Sequence, residues 1–324
     1  MDKAVLGIDI AKANFQVTLL SEATERGRSF PNNPKGFAQL DHWLSNRGVD
    51  RVHACMEATG TYWEALAVHL ARADHVVSVV NPARTKGFAQ SELSRNKTDA
   101  LDAAMIARFC KAVQPEPWTP PTPEVHELQA LVRRLDSLQT IRQQELNRQQ
   151  APGLSAVVQH SLNEHIAYLE LQIAQLEQLI HDHIDHHPQL QQQRDLLTSI
   201  PGIGDATAAR LLGEIPDIHQ FQSPKQLAAF AGVSPRLWQS GSSVRGMTRL
   251  AKTGNPRLRK ALFYPALVAK VHNPPLRTFA RRLEGAGKKK MVVVGALMRK
   301  LLHLAYAILK SGAPFDPLYS SASR

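Results

Sequence analysis

The stretch "AVLGIDI" (residues 4–10) decides the fold. Successive side chains on a strand point to opposite faces, so Val5, Gly7 and Asp9 share one face and Leu6, Ile8 and Ile10 the other. The run reads as a buried strand, and Asp9 is an acid near its end. "FQVTLL" (15–20) follows after a short turn and reads as its hairpin partner. Beyond the hairpin, helical and extended patterns alternate. Helices are predicted in "GFAQLDHWL" (36–44), "WEALAVHLARA" (63–73) and "TDALDAAMIARFCKA" (98–112), and strands in "RVHACMEA" (51–58) and "HVVSVVN" (75–81). An opening hairpin followed by strand and helix crossovers predicts a mixed α/β sheet over residues 1–115.

The proline-rich "PEPWTPPTPE" (115–124) then breaks all periodicity and reads as a stiff linker. The region 116–190 is helical: Leu162, Ile166, Leu169, Ile173, Leu176, Ile180 and Ile184 recur in steps of four and three, a heptad seam. Leu128, Leu131, Leu135 and Leu138 begin a similar pattern, and "QAPGLS" (150–155) can turn one helix back on the other. An antiparallel hairpin within one chain and a coiled coil between chains both satisfy this pattern. A role in assembly, a homodimer forming a tetramer on DNA, is the favoured expectation. A third, mainly helical region spans 191–324.

The 324 residues suffice for more than one core, and 43% are hydrophobic. The longest apolar run, "MVVVGALM" (291–298), is far shorter than the roughly 18 residues of a spanning helix. The N-terminal residues lack the apolar core of a signal peptide, so the expected location is the cytoplasm, on the nucleoid, with no membrane partner. Cys55 and Cys110 sit in apolar stretches and read as buried thiols of a reduced compartment. Charge is unevenly placed. Residues 233–324 hold 18 Lys and Arg against Glu284 and Asp316, a net +16, while the whole chain carries only +11. A polycationic third attached to a mildly acidic remainder points to nucleic acid.

Several patterns carry chemistry. Glu57 ends the strand "RVHACME" on the same face as His53 and Cys55, and if that strand neighbours the first, Glu57 and Asp9 converge at one sheet edge. Asp99 and Asp102, at i and i+3 in the first turns of a helix, share a face and can join them. Converging carboxylates repel unless a cation neutralises them, and Mg²⁺ or Mn²⁺ suits such oxygen ligands and phosphoryl chemistry. Each acid alone also fits a blander role, at a helix N-terminus or a solvated strand end. "IPGIG" (200–204) between two helical patterns matches a helix-hairpin-helix, in which Gly202 and Gly204 let backbone amides approach a phosphate; an ordinary tight turn is the alternative.

"QSGSSVRG" (239–246) opens the polycationic region, with Arg245, Arg249 and Lys252 following its serines. Serine-rich loops are commonly only loops. Here the guanidinium groups suit phosphate oxygens, and a serine attacking a phosphodiester conserves bond energy in a covalent ester. Arg257, Arg259, Lys260, Lys288, Lys289 and Lys290 extend the candidate nucleic-acid surface. In the tract "HDHIDHH" (181–187), His183 and His187 stand at i and i+4, but with no further ligand set nearby it reads as a solvated helix end.

The blocks "GIDIAK", "CMEATGTYW", "VVNPA", "FAQSELSRNKTDALDAAMIARFC", "SIPGIG", "AAFAGVSPR", "SGSSVRG" and "KTGNPRLRKALF" occur in the order found in DEDD-type transposases of the IS110 family, and the resemblance spans nearly the whole chain. It implies a RuvC-like, RNase H-type domain over 1–115 whose acidic tetrad falls on Asp9, Glu57, Asp99 and Asp102. It implies a C-terminal transposase domain over 191–324 in which Ser240 matches the nucleophile. It further implies recombination of donor and target DNA guided by an element-encoded structured RNA. The rival expectations are a RuvC-type nuclease such as a junction resolvase, with water as nucleophile, an actin-like kinase or ATPase, and a non-catalytic nucleic-acid-binding protein. The resolvase leaves Ser240 without a task, and the phosphate and adenosine motifs of the kinases are not found. Simple binding leaves the acids unexplained.

Overall fold

A computed structural model describes residues 4–21, 24–92, 98–215, 217–236, 239–240, 244–245 and 249–317. The chain divides into two compact units, Met1–Pro120 and Pro121–Arg324.

The first unit is built on a five-stranded mixed sheet. Its elements are β1 (Val5–Ile10), β2 (Asn14–Ser21), β3 (Thr24–Pro31), α1 (Pro34–Ser45), β4 (His53–Glu57), α2 (Glu64–Arg72), β5 (Val76–Val80), α3 (Pro82–Ser91) and α4 (Asp99–Val113). The strand order is β3-β2-β1-β4-β5, antiparallel from β3 to β1 and parallel from β1 to β5. This mixed α/β arrangement is consistent with an RNase H-like fold. Strand β3 had no sequence signal, because all of "TERGRSFP" but Phe30 is exposed and the run shows no apolar alternation.

The two sheet faces divide as the strand period requires. Leu6 and Ile8 of β1 join Ala54 and Met56 of β4 in a core with Phe37, Leu40 and Trp43 of α1 and Leu66 and Leu70 of α2. Val5 and Cys55, on the opposite face, pack with Met105, Ile106 and Cys110 of α4. The proline-rich stretch is tied to the β5 edge: Trp118 N–H donates to Val77 O at 2.6 Å, and Ser78 Oγ lies 2.9 Å from the carbonyls of Pro115 and Glu116. These contacts cover backbone groups that an edge strand would otherwise expose.

The second unit is helical, with α5 (Pro123–Gln149), α6 (Ala156–Asp185), α7 (Pro188–Thr198), α8 (Asp205–Glu214), α9 (Pro224–Phe230), α10 (Pro256–Ala261), α11 (Phe263–His272), α12 (Pro274–Gly285) and α13 (Lys290–Ser311). Helices α5 and α6 form an antiparallel hairpin. The pairs Gln149–Asn163, Arg142–Glu170 and His183–Glu124 run in opposite directions along the two helices. Six of the seven seam residues, from Ile166 to Ile184, are buried, and five of these share one core with α7 to α13. The histidine tract is not a freely solvated end. His183 Nε2 lies 2.8 Å from Glu124 O and its ring stacks 4.4 Å from His187, which fastens the base of the hairpin.

Helix α13 is long and apolar enough to cross a membrane by length and composition, beyond what the run 291–298 suggested. Val293, Leu297, Leu301, Leu302 and Ala305 are nevertheless buried within the unit, so it serves as the central core helix.

Candidate catalytic carboxylates and nucleic-acid surface

The position of the acids follows from register. Ile8 of β1 pairs with Met56 of β4 in parallel, and the next residues on the two strands are Asp9 and Glu57. Both stand on the face covered by α4. That helix comes unusually close: a Cβ at Gly7 would lie 2.2 Å from both Ala103 O and Ala107 N, so only glycine admits this contact. Cys110 Sγ lies 3.8 Å from the carbonyl of His53, which pairs with Val5. The helix therefore runs antiparallel to β1, with its C-terminal half over Val5 and its N-terminus toward Asp9. From Ala103 back to Asp99 is about 6 Å along a helix. From Gly7 forward to Asp9 is about 7 Å along a strand. The two displacements match, which brings Asp99 toward the strand ends that carry Asp9 and Glu57, with Asp102 in the same first turn of α4.

Local chemistry fixes each element. The Thr98 side chain caps α4 by accepting from Leu101 N–H at 3.2 Å, so the helix begins at Asp99 and its first turn carries both acids. Acids are favoured there by the helix dipole. Glu57 is held by a residue that the sequence did not single out. Thr85 of α3 is fully buried, and its hydroxyl lies 2.6 Å from Glu57 Oε1 as a donor. Arg108 of α4 pairs with Glu92 at 2.9 Å, just beyond the end of α3, and so ties the α3 and α4 segments together.

Carboxylate oxygens of the kind these acids offer are the ligand chemistry of Mg²⁺ and Mn²⁺. Among the described residues, no three His, Cys, Asp or Glu side chains already stand together as a metal-holding group. Asp9 and Glu57 end adjacent strands and Asp99 and Asp102 begin the helix that covers them, with no closed cluster among the described residues.

In the second unit, the segment read from sequence as a loop is a hairpin. The strands β6 (Pro235–Arg236) and β9 (Arg249–Leu250) pair, and nested within them β7 (Gln239–Ser240) pairs with β8 (Val244–Arg245). Ser240 is matched with Val244. The side chains of Ser240 and Arg245, and residues 241–243 altogether, lie outside the described residues.

The structure gives Gly202 a different task from phosphate approach. Its φ of +112° suits glycine, and a Cβ there would lie 2.7 Å from the Ala269 Cβ, so its backbone is packed onto α11. Asn273 Nδ2 also donates to Pro201 O at 3.3 Å, which fixes the turn in the core. Gly204, at the start of α8, has open space where a side chain would be. Helices α7 and α8 are therefore joined by a turn whose first glycine serves packing.

The cations are mostly outward. Arg249, Lys252, Arg257, Lys260, Lys288, Lys289 and Lys290 are exposed, and Arg259 is half-buried with its guanidinium 3.3 Å from the carbonyls of Ala231 and Lys252. Lys288 to Lys290 crowd the N-terminus of α13, where the helix dipole disfavours cations. An anion bound there would relieve that repulsion.

Two family models match the chain. A DEDD-type transposase model covers residues 6–152, which include all four acids, and a model described as transposase IS116/IS110/IS902 family covers residues 194–281, which include Ser240. The pilin gene-inverting protein of Moraxella bovis is 37% identical over 319 residues, covering 98% of each chain. The chain belongs to the IS110 family of transposases. The counterpart from Moraxella lacunata is 36% identical over the same share of each chain. The transposase for insertion sequence element IS1328 of Yersinia enterocolitica is 24% identical over 346 residues, 96% of this chain and 98% of its own. As an IS110-family member the protein is a DNA transposase or recombinase.

Proposed function

We propose that this transposase cuts and rejoins DNA strands through a covalent serine ester, with Asp9, Glu57, Asp99 and Asp102 holding Mg²⁺ or Mn²⁺ and Ser240 as nucleophile. The observation that supports it most is the adjacency of Asp9 and Glu57 beneath the N-terminus of α4. A bound divalent ion would neutralise these carboxylates and stabilise charge on the phosphate oxygens. Ser240 Oγ attacks phosphorus, the bond to one sugar oxygen breaks, and that oxygen leaves with a proton. The serine–phosphate ester keeps the bond energy until a hydroxyl of the new strand displaces the serine. Arg245, Arg249 and Lys252 supply positive charge to the phosphate during both displacements.

The basic third of the chain would hold donor and target DNA together with an element-encoded guide RNA, on the nucleoid. The α5–α6 hairpin is the candidate coiled-coil element for a homodimer that becomes a tetramer on DNA. A RuvC-type nuclease using water is the alternative chemistry. The name of the Moraxella bovis relative supports a second reading of the substrate, in which two sites within one molecule are inverted.

The test is strand exchange by purified protein in Mg²⁺, with the nucleic acid that survives nuclease treatment during purification sequenced beforehand. Asp9→Asn, Glu57→Gln, Asp99→Asn and Asp102→Asn should each abolish exchange while leaving the melting temperature nearly unchanged. Wild-type exchange by any one of them removes that residue from the tetrad. Excision and inversion substrates assayed in parallel separate the two substrate readings.

A further inference from the structure

The second unit contains a cavity of about 570 Å³ between α5, α8, α10, α11 and α13. That volume lies within the ordinary range for ligand pockets. Its character is divided. Its lining includes the apolar Phe263, Tyr264, Met291 and Met298 as well as the cationic Arg210, Arg259 and Lys260.

Tyr264 is 73% exposed and Met291 65%, yet the tyrosine ring is braced edge-on by Phe263 at 5.3 Å between centroids and 83° between planes. A large aromatic face is thereby offered to solvent at low entropic cost. Arg210 is not available as an anion donor: its guanidinium is taken by Asp136, Gln139 and the carbonyl of Ala206. It acts as a fixed polar wall. Lys260 is exposed at the rim, and Arg259 beside it is anchored to backbone carbonyls through Nη1.

Leu250 completes one wall. It packs on Gly295 of α13, where a Cβ would come within 3.3–3.4 Å of three Leu250 side-chain carbons. Leu250 belongs to β9, the strand that leads back from Ser240 into the unit. The cavity is therefore coupled structurally to the base of the serine hairpin.

We infer that this cavity receives one unstacked nucleobase of the bound nucleic acid, stacked on Tyr264 and against Met291, with its phosphate at Lys260 and Arg259. The inference rests on the reading of this chain as a nucleic-acid recombinase. Every base has a π-face, so an aromatic platform is tolerant of sequence, and the polarizable thioethers of Met291 and Met298 adapt to different bases. The cationic rim and the net +16 of this region match a polyanion and disfavour an acidic-poor protein surface as the occupant. DNA and RNA share this chemistry, and the experiment separates them.

Full-length protein is titrated with short single-stranded oligonucleotides of deoxyribose or ribose type, each carrying one 5-iodouracil, and irradiated; the cross-linked peptide is then mapped. The expected attachment is to Tyr264 or Met291. Tyr264→Ala, at an exposed position, and Ala261→Trp, which fills the cavity, should each weaken binding by about 5- to 100-fold, whereas Tyr264→Phe should bind as wild type. The sugar type that shows these effects identifies the source of the base. Cross-links confined to other residues, unchanged affinity in Tyr264→Ala, or no binding of either probe by the wild type would each overturn the inference. Strand exchange measured on the same preparations reports separately on the recombinase reading.

Discussion

Asp9 and Glu57 follow Ile8 and Met56, a directly paired couple on adjacent parallel strands, so the two carboxylates leave the sheet side by side. Such neighbours repel each other, and a cation shared between them would remove the repulsion. Asp9→Asn and Glu57→Gln should each weaken Mn²⁺ binding at least about tenfold, because even an outer partner of a metal ligand commonly costs that much. Titration calorimetry on folded variants measures this. Unchanged Mn²⁺ affinity in both would separate these acids from metal binding.

Thr85 should matter through Glu57. Its buried hydroxyl orients the carboxylate, and a hydrogen bond to a charged group is worth about 1.5–3 kcal/mol. Thr85→Val should slow strand exchange about tenfold or more, and Thr85→Ser should restore it. A purely structural role would instead lower the melting temperature in Thr85→Val and leave exchange by the folded fraction intact.

Gly7 sets the approach of α4. Adding one methyl group forces it into the backbone at Ala103 and Ala107, and Gly7→Ala should destabilise the first unit by about 3 kcal/mol. Denaturant unfolding followed in the isolated transition of that unit gives the value. A cost near zero would mean that helix and strand are not in this contact.

How much of this was legible in the sequence depends on what each residue answers to. Alternation placed Asp9 and Glu57 on their faces correctly, since strand period is local and both neighbouring runs are strongly apolar. The α4 acids were legible from their i, i+3 spacing at the start of a helical run. Thr85 was not, because nothing local marks a threonine whose partner is 28 positions away. Gly202 was assigned to phosphate approach from a motif, while its actual neighbour, Ala269, is remote in sequence. The serine segment looked like a loop because strands of only two residues are too short to show an alternation.

His303 gives the second unit a pH dependence of defined sign. Burial first, and then Arg299, Lys300 and Lys225, lower its pKa from 6.5 to about 4. In the unfolded chain it protonates near 6.5, so between these values the unfolded state binds more protons and stability falls as pH falls. The contribution is fully present above the unfolded value and lost toward about pH 4. His303→Gln should flatten the dependence of melting temperature on pH across that window, as read by calorimetry. An equally steep dependence would assign it to other groups.

Whether Ser240 becomes joined to DNA is decided by trapping the reaction with denaturant and mapping the DNA-linked peptide. The expected adduct is on Ser240 and is lost, together with strand exchange, in Ser240→Ala, while DNA binding survives and Ser242→Ala and Ser243→Ala keep the adduct. An adduct on another residue, or efficient strand exchange by Ser240→Ala, would contradict it.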